Sequence, residues 1–587
     1  MKLDLLPPPK RVHRQRGFCD SRRVTVNVGD KLVARREAGA YRLTISGANT
    51  QIFANDEAGV CYARQTLRQI DRQFPAARPR LTVSDWPDFP VRGFYHDVSR
   101  GKVPTLKTLL ALADTCAQYK LNHLELYIEH TYAFKKYPAV WRDADPLTAA
   151  EIRALDDYCA ARHIDLVPSF STFGHFYTWM VREFPELNEL EVNVSGDPFN
   201  FHDRMQHYTL DCQNPRSIKL VEEIIREVRP LFRSIFFNIC ADETFDLGKG
   251  RNRALAERIG VRRLYLDFLK KIMAIVSDCG ATPLFWGDVI DPLLMSELPA
   301  DAVMLEWDYG PRPHLRRAPL FAKSGRPFYL CTGVRGWNNW LPDYPAAHRN
   351  ITRFARHGQR LGARGLLNTD WGDFGHINTL GPSVPGLVLG ASAAWHARSA
   401  TLTMSRFNAA ASRLVLGDLG GKLLGLLSDT VSARRAGWVA LCHLFQPRSR
   451  DFDEGWFDAD GLPVQHGQAG FIHPAREHAT ALTRIRRLSR RALTVLKKSR
   501  PTDPLTVAEI ETGLLGLQVM EEYFIFRLAR AGRTKIKPLT VTRMTARLLE
   551  LERRLAAVWR RRNKPSEYFR IREVLTAAAR DCRRRLS

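Results

Sequence analysis

The sequence predicts an α/β fold in which a (β/α)8 TIM barrel lies between a small N-terminal α+β domain and a C-terminal helical region. Eight short apolar runs alternate with longer amphipathic stretches between about residues 91 and 400. This alternation is typical of strands that are each followed by a helix. A doubly wound open sheet is the competing fold, but no Gly-x-Gly-x-x-Gly follows the first run. Beyond residue 400 the apolar spacing is helical.

The apolar runs have the length of strands and are bounded by turn residues. The predicted strands are Gly93–Val98, His123–Ile128, Asp165–Phe170, Ile235–Cys240, Pro283–Trp286, Val303–Trp307, Phe328–Cys331 and Gly365–Asn368. Between some of them a 3.6-residue period predicts helices at Leu106–Tyr119 and Ile218–Leu231. The barrel is therefore assigned to residues 89–400.

The N-terminal domain is assigned to residues 1–88. It contains strand-like runs at Arg23–Val28 and Tyr41–Ser46 and one amphipathic helix at Glu57–Phe74. The proline-punctuated segment Leu81–Pro90 separates it from the barrel. This mixture of short strands and one helix predicts a small α+β module.

The helical region, residues 401–587, contains long amphipathic stretches at Leu505–Ala531 and Thr540–Arg562. It also carries arginine clusters on helical patterns, such as Arg486, Arg487 and Arg490 with Arg491, within a chain whose net charge is +26. Such a charge is compatible with nucleic acid, anionic membranes or acidic substrates. Because no zinc-finger spacing or Gly-rich RNA-binding signature accompanies the clusters, we interpret them as solvated arginines and do not expect nucleic acid as the main partner.

Composition indicates a globular chain with neither a membrane span nor a metal framework. No apolar stretch approaches the roughly 18 residues that a spanning helix needs. The first apolar run, Leu5–Leu6 after Leu3, is interrupted by prolines, so no secretory signal is expected and a cytoplasmic location is the default expectation. The ten cysteines are scattered without a Cys-x-x-Cys pair, which predicts no zinc site and no disulfide framework. We expect no cofactor.

Carboxylates and tryptophans collect where the predicted strands end. In a (β/α)8 barrel the carboxyl ends of the strands form the active site. Tryptophan faces pack on pyranose rings, and carboxylates accept hydroxyl hydrogen bonds or transfer protons, so this rim suits a sugar-cleaving site. The candidate substrate-binding residues are Arg100, Glu129, His175, Trp286, Trp307, Trp337, Asp370, Trp371 and Asp373.

The candidate catalytic residues are Asp242 and Glu243, which follow the fourth apolar run. Adjacent strand residues point to opposite faces, so the two carboxylates are not expected to face a substrate in the same way. Glu243 would protonate a leaving oxygen, which requires its pKa to be raised by burial or by neighbouring charge. Asp242 would orient a nucleophile that the substrate supplies.

Several of these motifs together resemble glycoside hydrolase family 20, the β-N-acetylhexosaminidases. The likeness runs from about Tyr41 to Trp395. The run Arg92–Arg100 is similar to the family's first strand, which ends in an arginine that binds sugar hydroxyls. Phe173-Gly-His175 resembles the family's Pro-Gly-His element, and Ala241-Asp242-Glu243 resembles its Gly-Asp-Glu.

The resemblance implies a retaining exo-hydrolase that acts on a small glycan or glycoconjugate ending in β-linked N-acetylhexosamine. The substrate's 2-acetamido carbonyl would attack the anomeric carbon. Asp242 would steady the acetamido nitrogen, and Glu243 would act first as acid and then as base. Glu129 and His175 would form a direct buried pair behind Glu243.

Two registers could supply the family's strand-eight Trp-x-Glu element. One uses Trp395-His-Ala397, which offers no carboxylate, and the other uses Trp371-Gly-Asp373. Because Gly365–Asn368 is the eighth apolar run, strand counting favours the second register. Trp371 would then line the pocket, and Asp373 and Arg100 would bracket the hydroxyls at the non-reducing end.

Alternative functions remain open from the sequence. The family's acetamido-binding tyrosine has no clear match near the seventh strand, which leaves room for a glycosidase of different sugar specificity on the same barrel. The positive charge leaves room for a non-catalytic carbohydrate- or nucleic-acid-binding protein. The intact Asp242–Glu243 pair favours an enzyme, since a binding module has no need of an acid.

Overall fold

The computed structural model of the protein describes residues 3–20, 22–29, 33–35, 37–47, 49–191, 196, 198–290, 293–315, 317–447 and 473–584. Within these ranges, no helix is both long enough and apolar enough to cross a bilayer.

The N-terminal domain is a five-stranded sheet covered by one helix. Its strands pair in the order β1-β5-β3-β4-β2, and only β2 and β4 run parallel. Helix α1 begins at an Asp56 N-cap, whose carboxylate accepts from the Gly59 N–H, and packs its apolar face on the sheet. The elements are β1 (Arg11–Cys19), β2 (Val24–Val28), β3 (Tyr41–Ile45), β4 (Thr50–Ala54), α1 (Glu57–Gln73) and β5 (Arg78–Asp85).

Eight parallel strands form a closed barrel, which confirms the predicted fold class. The last strand pairs with the first, so that Gly365 lies opposite Val91 and the sheet has no free edge. Large aromatic side chains, among them Tyr95, Tyr127 and Trp286, fill the barrel interior towards its carboxyl end. The strands are β6 (Val91–Asp97), β7 (His123–Ile128), β8 (Asp165–Phe170), β9 (Phe236–Asn238), β10 (Thr282–Trp286), β11 (Val303–Trp307), β12 (Phe328–Gly333) and β13 (Gly365–Asp370).

Helices surround the barrel, and most strand-to-strand connections carry at least one. They are α2 (Leu106–Gln118), α3 (Pro138–Trp141), α4 (Ala149–Ala160), α5 (Tyr177–Arg182), α6 (Phe201–Gln206), α7 (Pro215–Val228), α8 (Arg253–Ile259), α9 (Val261–Asp278), α10 (Ala318–Ser324), α11 (Tyr344–Leu361) and α12 (Leu380–Trp395).

Two predicted elements differ from the structure for identifiable reasons. Helix α7 begins at Pro215 after an Asn214 N-cap and ends at Val228, because Pro230 lacks an N–H and the chain continues as a short 3-10 turn. Strand β9 ends at Asn238 rather than Cys240, because the backbone turns left-handed at Cys240 and Ala241, where φ is +55° and +62°. The second difference positions the catalytic candidates.

The C-terminal region is helical where the structure describes it. Its helices are α13 (Met404–Leu414), α14 (Leu423–Val431), α15 (Trp438–Phe445), α16 (Ala475–Leu496), α17 (Leu505–Arg530), α18 (Val541–Trp559) and α19 (Tyr568–Asp581). They pack on the barrel through buried polar contacts as well as apolar ones. The Arg562 guanidinium binds the Glu509 carboxylate, and the Arg562 carbonyl accepts from the Thr105 N–H at 2.9 Å.

A buried carboxylate joins the N-terminal domain to the barrel. Asp85, at the end of β5, is fully buried and accepts hydrogen bonds from Tyr41 and Lys120 at 2.7 and 3.0 Å. Its other oxygen accepts from the Trp395 indole N–H at 2.8 Å. Trp395 therefore belongs to the domain joint, which excludes the register that would place it at a sugar site.

Asp85→Ala should destabilise the protein by about 3–5 kcal/mol, because it leaves the buried Lys120 ammonium without its counter-charge. Asp114→Ala is the matched control, since Asp114 forms a partly exposed pair with Arg162 at 2.7 Å that should be worth about 0–1 kcal/mol. Urea unfolding of both variants tests this difference. Similar losses in the two variants would contradict a structural role for the joint.

Candidate active site

A pocket of about 190 Å³ opens at the carboxyl ends of the barrel strands. That volume lies below the roughly 300–1,000 Å³ of drug-sized sites and suits one small ring. Most of the candidate residues line it. The lining side chains are Arg100, Met205, Asp242, Glu243, Trp286, Trp307, Tyr309, Trp337, Trp371 and Asp373.

Asp242 and Glu243 both face this pocket, although adjacent strand residues were expected to diverge. The strand has ended before them, and Cys240, Ala241 and Glu243 all have positive φ, +55°, +62° and +47°. This left-handed turn removes the alternation of a strand. Left-handed backbone costs a non-glycine residue about 1–2 kcal/mol, so the surrounding structure must hold the turn. The Tyr265 hydroxyl does so in part, donating to the Ala241 carbonyl at 2.9 Å.

Glu243 has the protonation behaviour that a general acid needs. Burial raises the pKa of its carboxyl to about 7, and the Asp242 carboxylate adds to the effect while His175 opposes it. His175 Nε2 lies 3.6 Å from Glu243 Oε2 and 3.7 Å from Asp242 Oδ2. Burial and the Arg100 cation both disfavour a charged imidazole, but the two carboxylates outweigh them and raise the pKa of His175.

The expected direct contact between Glu129 and His175 is wrong, because the Arg100 guanidinium lies between them. Arg100 Nε donates to Glu129 Oε1 at 3.0 Å, and Arg100 Nη2 lies 3.3 Å from His175 Nδ1. Burial opposes ionisation of Glu129, but Arg100 and Arg204 prevail and lower the pKa of its carboxyl. Glu129 therefore holds Arg100, and Arg100 contacts the histidine.

The register that uses Trp371 and Asp373 agrees with the structure. Trp371 lines the pocket, and Asp373 Oδ1 accepts from Arg100 Nη1 at 3.2 Å. Asp370 is not in the pocket. It is the last residue of β13 and points behind it, where its Oδ1 accepts from the Asn378 amide at 3.1 Å. The two-residue period of a strand explains why Asp370 and Trp371 face opposite sides.

Tyr309, Asp288 and Met205 were not among the candidate residues, although Asp288 and Tyr309 follow the ends of the fifth and sixth predicted strands. The Tyr309 hydroxyl accepts from the Trp371 indole N–H at 2.7 Å, and its ring stacks on Trp307 with centroids 5.2 Å apart. Tyr309 follows Trp307 by two residues, so strand periodicity could have identified it. Asp288 Oδ2 accepts from the Glu243 backbone N–H at 3.3 Å. Met205 comes from α6, and nothing in the sequence pattern signals its position.

Four buried polar atoms at this site have no hydrogen-bond partner among the described residues. They are Asp242 Oδ1, Asp288 Oδ1 and the indole nitrogens of Trp286 and Trp307. Burying such atoms unpaired costs about 1–3 kcal/mol each. A ligand that offers both donors and acceptors would offset this cost.

One group of described side chains has the spacing of metal ligands. Ligand atoms of His175, Asp242 and Glu243 lie within 4.8 Å of one another. The Arg100 cation, which lies 3.3 Å from His175 Nδ1, opposes a divalent ion there, and the same three groups suit proton transfer.

Comparisons with known proteins identify the family of this chain. Residues 89–331 match the family model described as glycosyl hydrolase family 20, catalytic domain, and residues 7–86 match the one described as glycosyl hydrolase family 20, domain 2. Together these matches cover more than half of the 587 residues. The chain belongs to glycoside hydrolase family 20.

Curated relatives include a beta-hexosaminidase of Akkermansia muciniphila, which is 25% identical over 314 residues, 48% of this chain and 61% of the relative. Beta-hexosaminidase 1 of Coccidioides posadasii is 25% identical over 326 residues, 50% of this chain and 54% of the relative. The chain therefore spans less than two thirds of the length of these relatives.

Solved structures share the fold at low sequence identity. Flavobacterium johnsoniae chitobiase matches with a TM-score of 0.59 at 15% identity, and the match covers 98% of this chain and 99% of the chitobiase chain. A beta-N-acetylhexosaminidase from Bacteroides fragilis has a TM-score of 0.54 at 18% identity, with 68% and 92% covered.

Ala241→Gly should raise the free energy of unfolding by up to about 1 kcal/mol, because glycine adopts φ +62° without the side-chain penalty. Ala557→Gly, at an exposed position inside α18, should instead lower it by about 1 kcal/mol. Denaturant unfolding of both variants measures the two effects. A loss of stability in Ala241→Gly as large as in Ala557→Gly would contradict stored strain at the turn.

Proposed function

We propose that the protein is a retaining exo-β-N-acetylhexosaminidase that hydrolyses terminal β-linked N-acetylglucosamine or N-acetylgalactosamine with assistance from the substrate's own acetamido group. The observation that carries the proposal is the shared orientation of Asp242 and Glu243. Both carboxyls face one small pocket walled by Trp286, Trp307 and Trp371. Membership of the chain in glycoside hydrolase family 20 supports the same reaction.

In the first step the acetamido carbonyl oxygen attacks the anomeric carbon, and the bond to the leaving oxygen breaks. Glu243, whose pKa of about 7 leaves a large fraction of it protonated near neutral pH, gives its proton to that oxygen. Asp242 Oδ1, which is buried and has no hydrogen-bond partner in the described part of the chain, accepts from the acetamido N–H and stabilises the positive charge of the bicyclic intermediate. In the second step Glu243 takes a proton from water, whose oxygen opens the intermediate with net retention.

An ion pair lies where the non-reducing end of the sugar would be bound. Arg100 and Asp373 lie 3.2 Å apart on one side of the pocket and would bind hydroxyls at the non-reducing end. Their ion pair blocks continuation of the glycan in that direction, which favours exo action. Tyr309, whose hydroxyl lies at the pocket wall beside Trp371, is our candidate for the acetamido-binding tyrosine that the sequence left unassigned.

A panel of nitrophenyl glycosides tests the substrate class. We expect release of nitrophenol from the β-N-acetylglucosaminide or the β-N-acetylgalactosaminide and at least 100-fold lower kcat/KM on the β-glucoside, because glucose has a hydroxyl in place of the acetamido nucleophile. A thiazoline mimic of the bicyclic intermediate should inhibit. Preferential cleavage of the glucoside, without inhibition by the thiazoline, would favour a glycosidase of different specificity on this barrel.

The acid role of Glu243 predicts a pH limb. A general acid works only while protonated, so kcat/KM on a substrate with a poor leaving group should fall about tenfold per unit above pH 7, where Glu243 ionises. Glu243→Gln should reduce that rate by about 10²–10⁴-fold and abolish the limb. The reduction should be smaller for a dinitrophenyl leaving group, which needs little protonation. Equal losses on both leaving groups would remove Glu243 from this role.

A further inference from the structure

A second cavity adjoins the sugar pocket and shares one wall with it. Its volume is about 320 Å³, and Trp337 lines both spaces. The loop that follows β12 forms one side through Arg335 and Asn338. The other side comes from the C-terminal helical region, through Arg434, Arg435 and His473. We call this space the arginine cavity.

Arg335 is a cation without a carboxylate partner among the described residues. Its Nη1 donates to the Tyr309 carbonyl at 3.2 Å, and its buried Nε has no hydrogen-bond partner within the ranges that the structure describes. Burial lowers the pKa of the guanidinium, while Asp343 acts in the opposite direction from beyond ion-pair distance. A partly buried cation of this kind is costly unless an anion satisfies it.

The other charges around the arginine cavity are paired. Arg434 binds Asp343 at 3.1 Å, and Glu477 lies 3.3 Å from Arg435 and 3.2 Å from His473. Among the described residues that line this cavity, Arg335 is therefore the cation without a carboxylate partner.

The backbone adds further donors. Helix α15 begins in the cavity wall at Gly437, which offers no side-chain cap for its first N–H groups. Uncapped N–H groups and the positive end of a helix favour a negative ligand.

We infer that the arginine cavity binds an anionic group, a carboxylate or a sulfate or phosphate ester, carried by the part of the substrate that lies beyond the terminal sugar. This inference depends on the proposed function, because it places the anion on a glycan whose terminal ring occupies the neighbouring pocket. Trp337, which separates the two spaces, would pack against the connecting sugar while Arg335 and Arg434 bind the anion. The C-terminal helical region thereby supplies one wall of the substrate site.

Matched disaccharides test the inference. Terminal β-linked N-acetylglucosamine is placed on glucose or on glucuronic acid, and on galactose or on 6-sulfated galactose, and kcat/KM is measured for each. A charged hydrogen bond of ordinary strength predicts a preference for one of the acidic members by about 10–100-fold. The two pairs distinguish a carboxylate from a sulfate ester.

Arg335→Met should reduce the acidic-to-neutral ratio towards one, because it removes the cation that lacks a carboxylate partner among the described residues. Arg434→Met provides a second variant if the first fails to fold. Arg553→Met is the matched control, since that arginine is 70% exposed and pairs with Glu550 on the far face of α18, and it should leave the ratio unchanged. A ratio near one in the unmodified protein for both pairs overturns the inference, as does a high ratio that neither cavity variant changes.

Failure of the proposed function is recognised separately, because then none of the four disaccharides is cleaved. In that case calorimetric titration of the protein with sulfate and with glucuronate decides the inference directly. Binding that Arg335→Met or Arg434→Met weakens at least tenfold, and that Arg553→Met retains, supports an anion site. If neither sulfate nor glucuronate binds, the inference of an anion site is overturned.

Discussion

The buried guanidinium of Arg100 is the interaction on which the site's geometry depends. It is 4% exposed, lies 4.9 and 5.1 Å from the ring centres of Tyr127 and Trp371, and contacts Glu129, His175 and Asp373. A cation taken out of water must be surrounded by negative charge and aromatic faces. Meeting that requirement brings residues from four strand ends to one place.

The carboxyl groups on the two sides of Arg100 have pKa values that are shifted in opposite directions. The pKa of the Glu243 carboxyl is raised to about 7, whereas that of Glu129, on the other side of Arg100, is lowered. The two pKa values differ because the carboxyls lie at different distances from the guanidinium. Glu129 binds Arg100 directly at 3.0 Å, whereas His175 lies between Arg100 and Glu243. The left-handed turn at Ala241 then directs Asp242 and Glu243 into the same pocket, at a cost in backbone strain that the barrel must hold.

The C-terminal helical region is part of this architecture rather than an appendage. It buries Arg562 against Glu509 and receives a backbone hydrogen bond from Thr105 at the start of α2. Its segment at Arg434 closes the space beside Trp337. A barrel alone would leave the arginine cavity without this wall.

The sequence by itself determined the barrel, since periodicity locates each strand, and it placed most of the pocket-lining residues, because the carboxyl ends of parallel strands must share one rim. It also favoured Trp371 over Trp395 by counting strands. Only the tertiary structure decided that Asp242 and Glu243 face the same pocket and that Arg100 separates Glu129 from His175. These outcomes depend on left-handed turns and on how buried charges pair across the rim. Both the turns and the charge pairs depend on packing between segments that are far apart in the chain. Local sequence patterns do not indicate which of these segments come into contact.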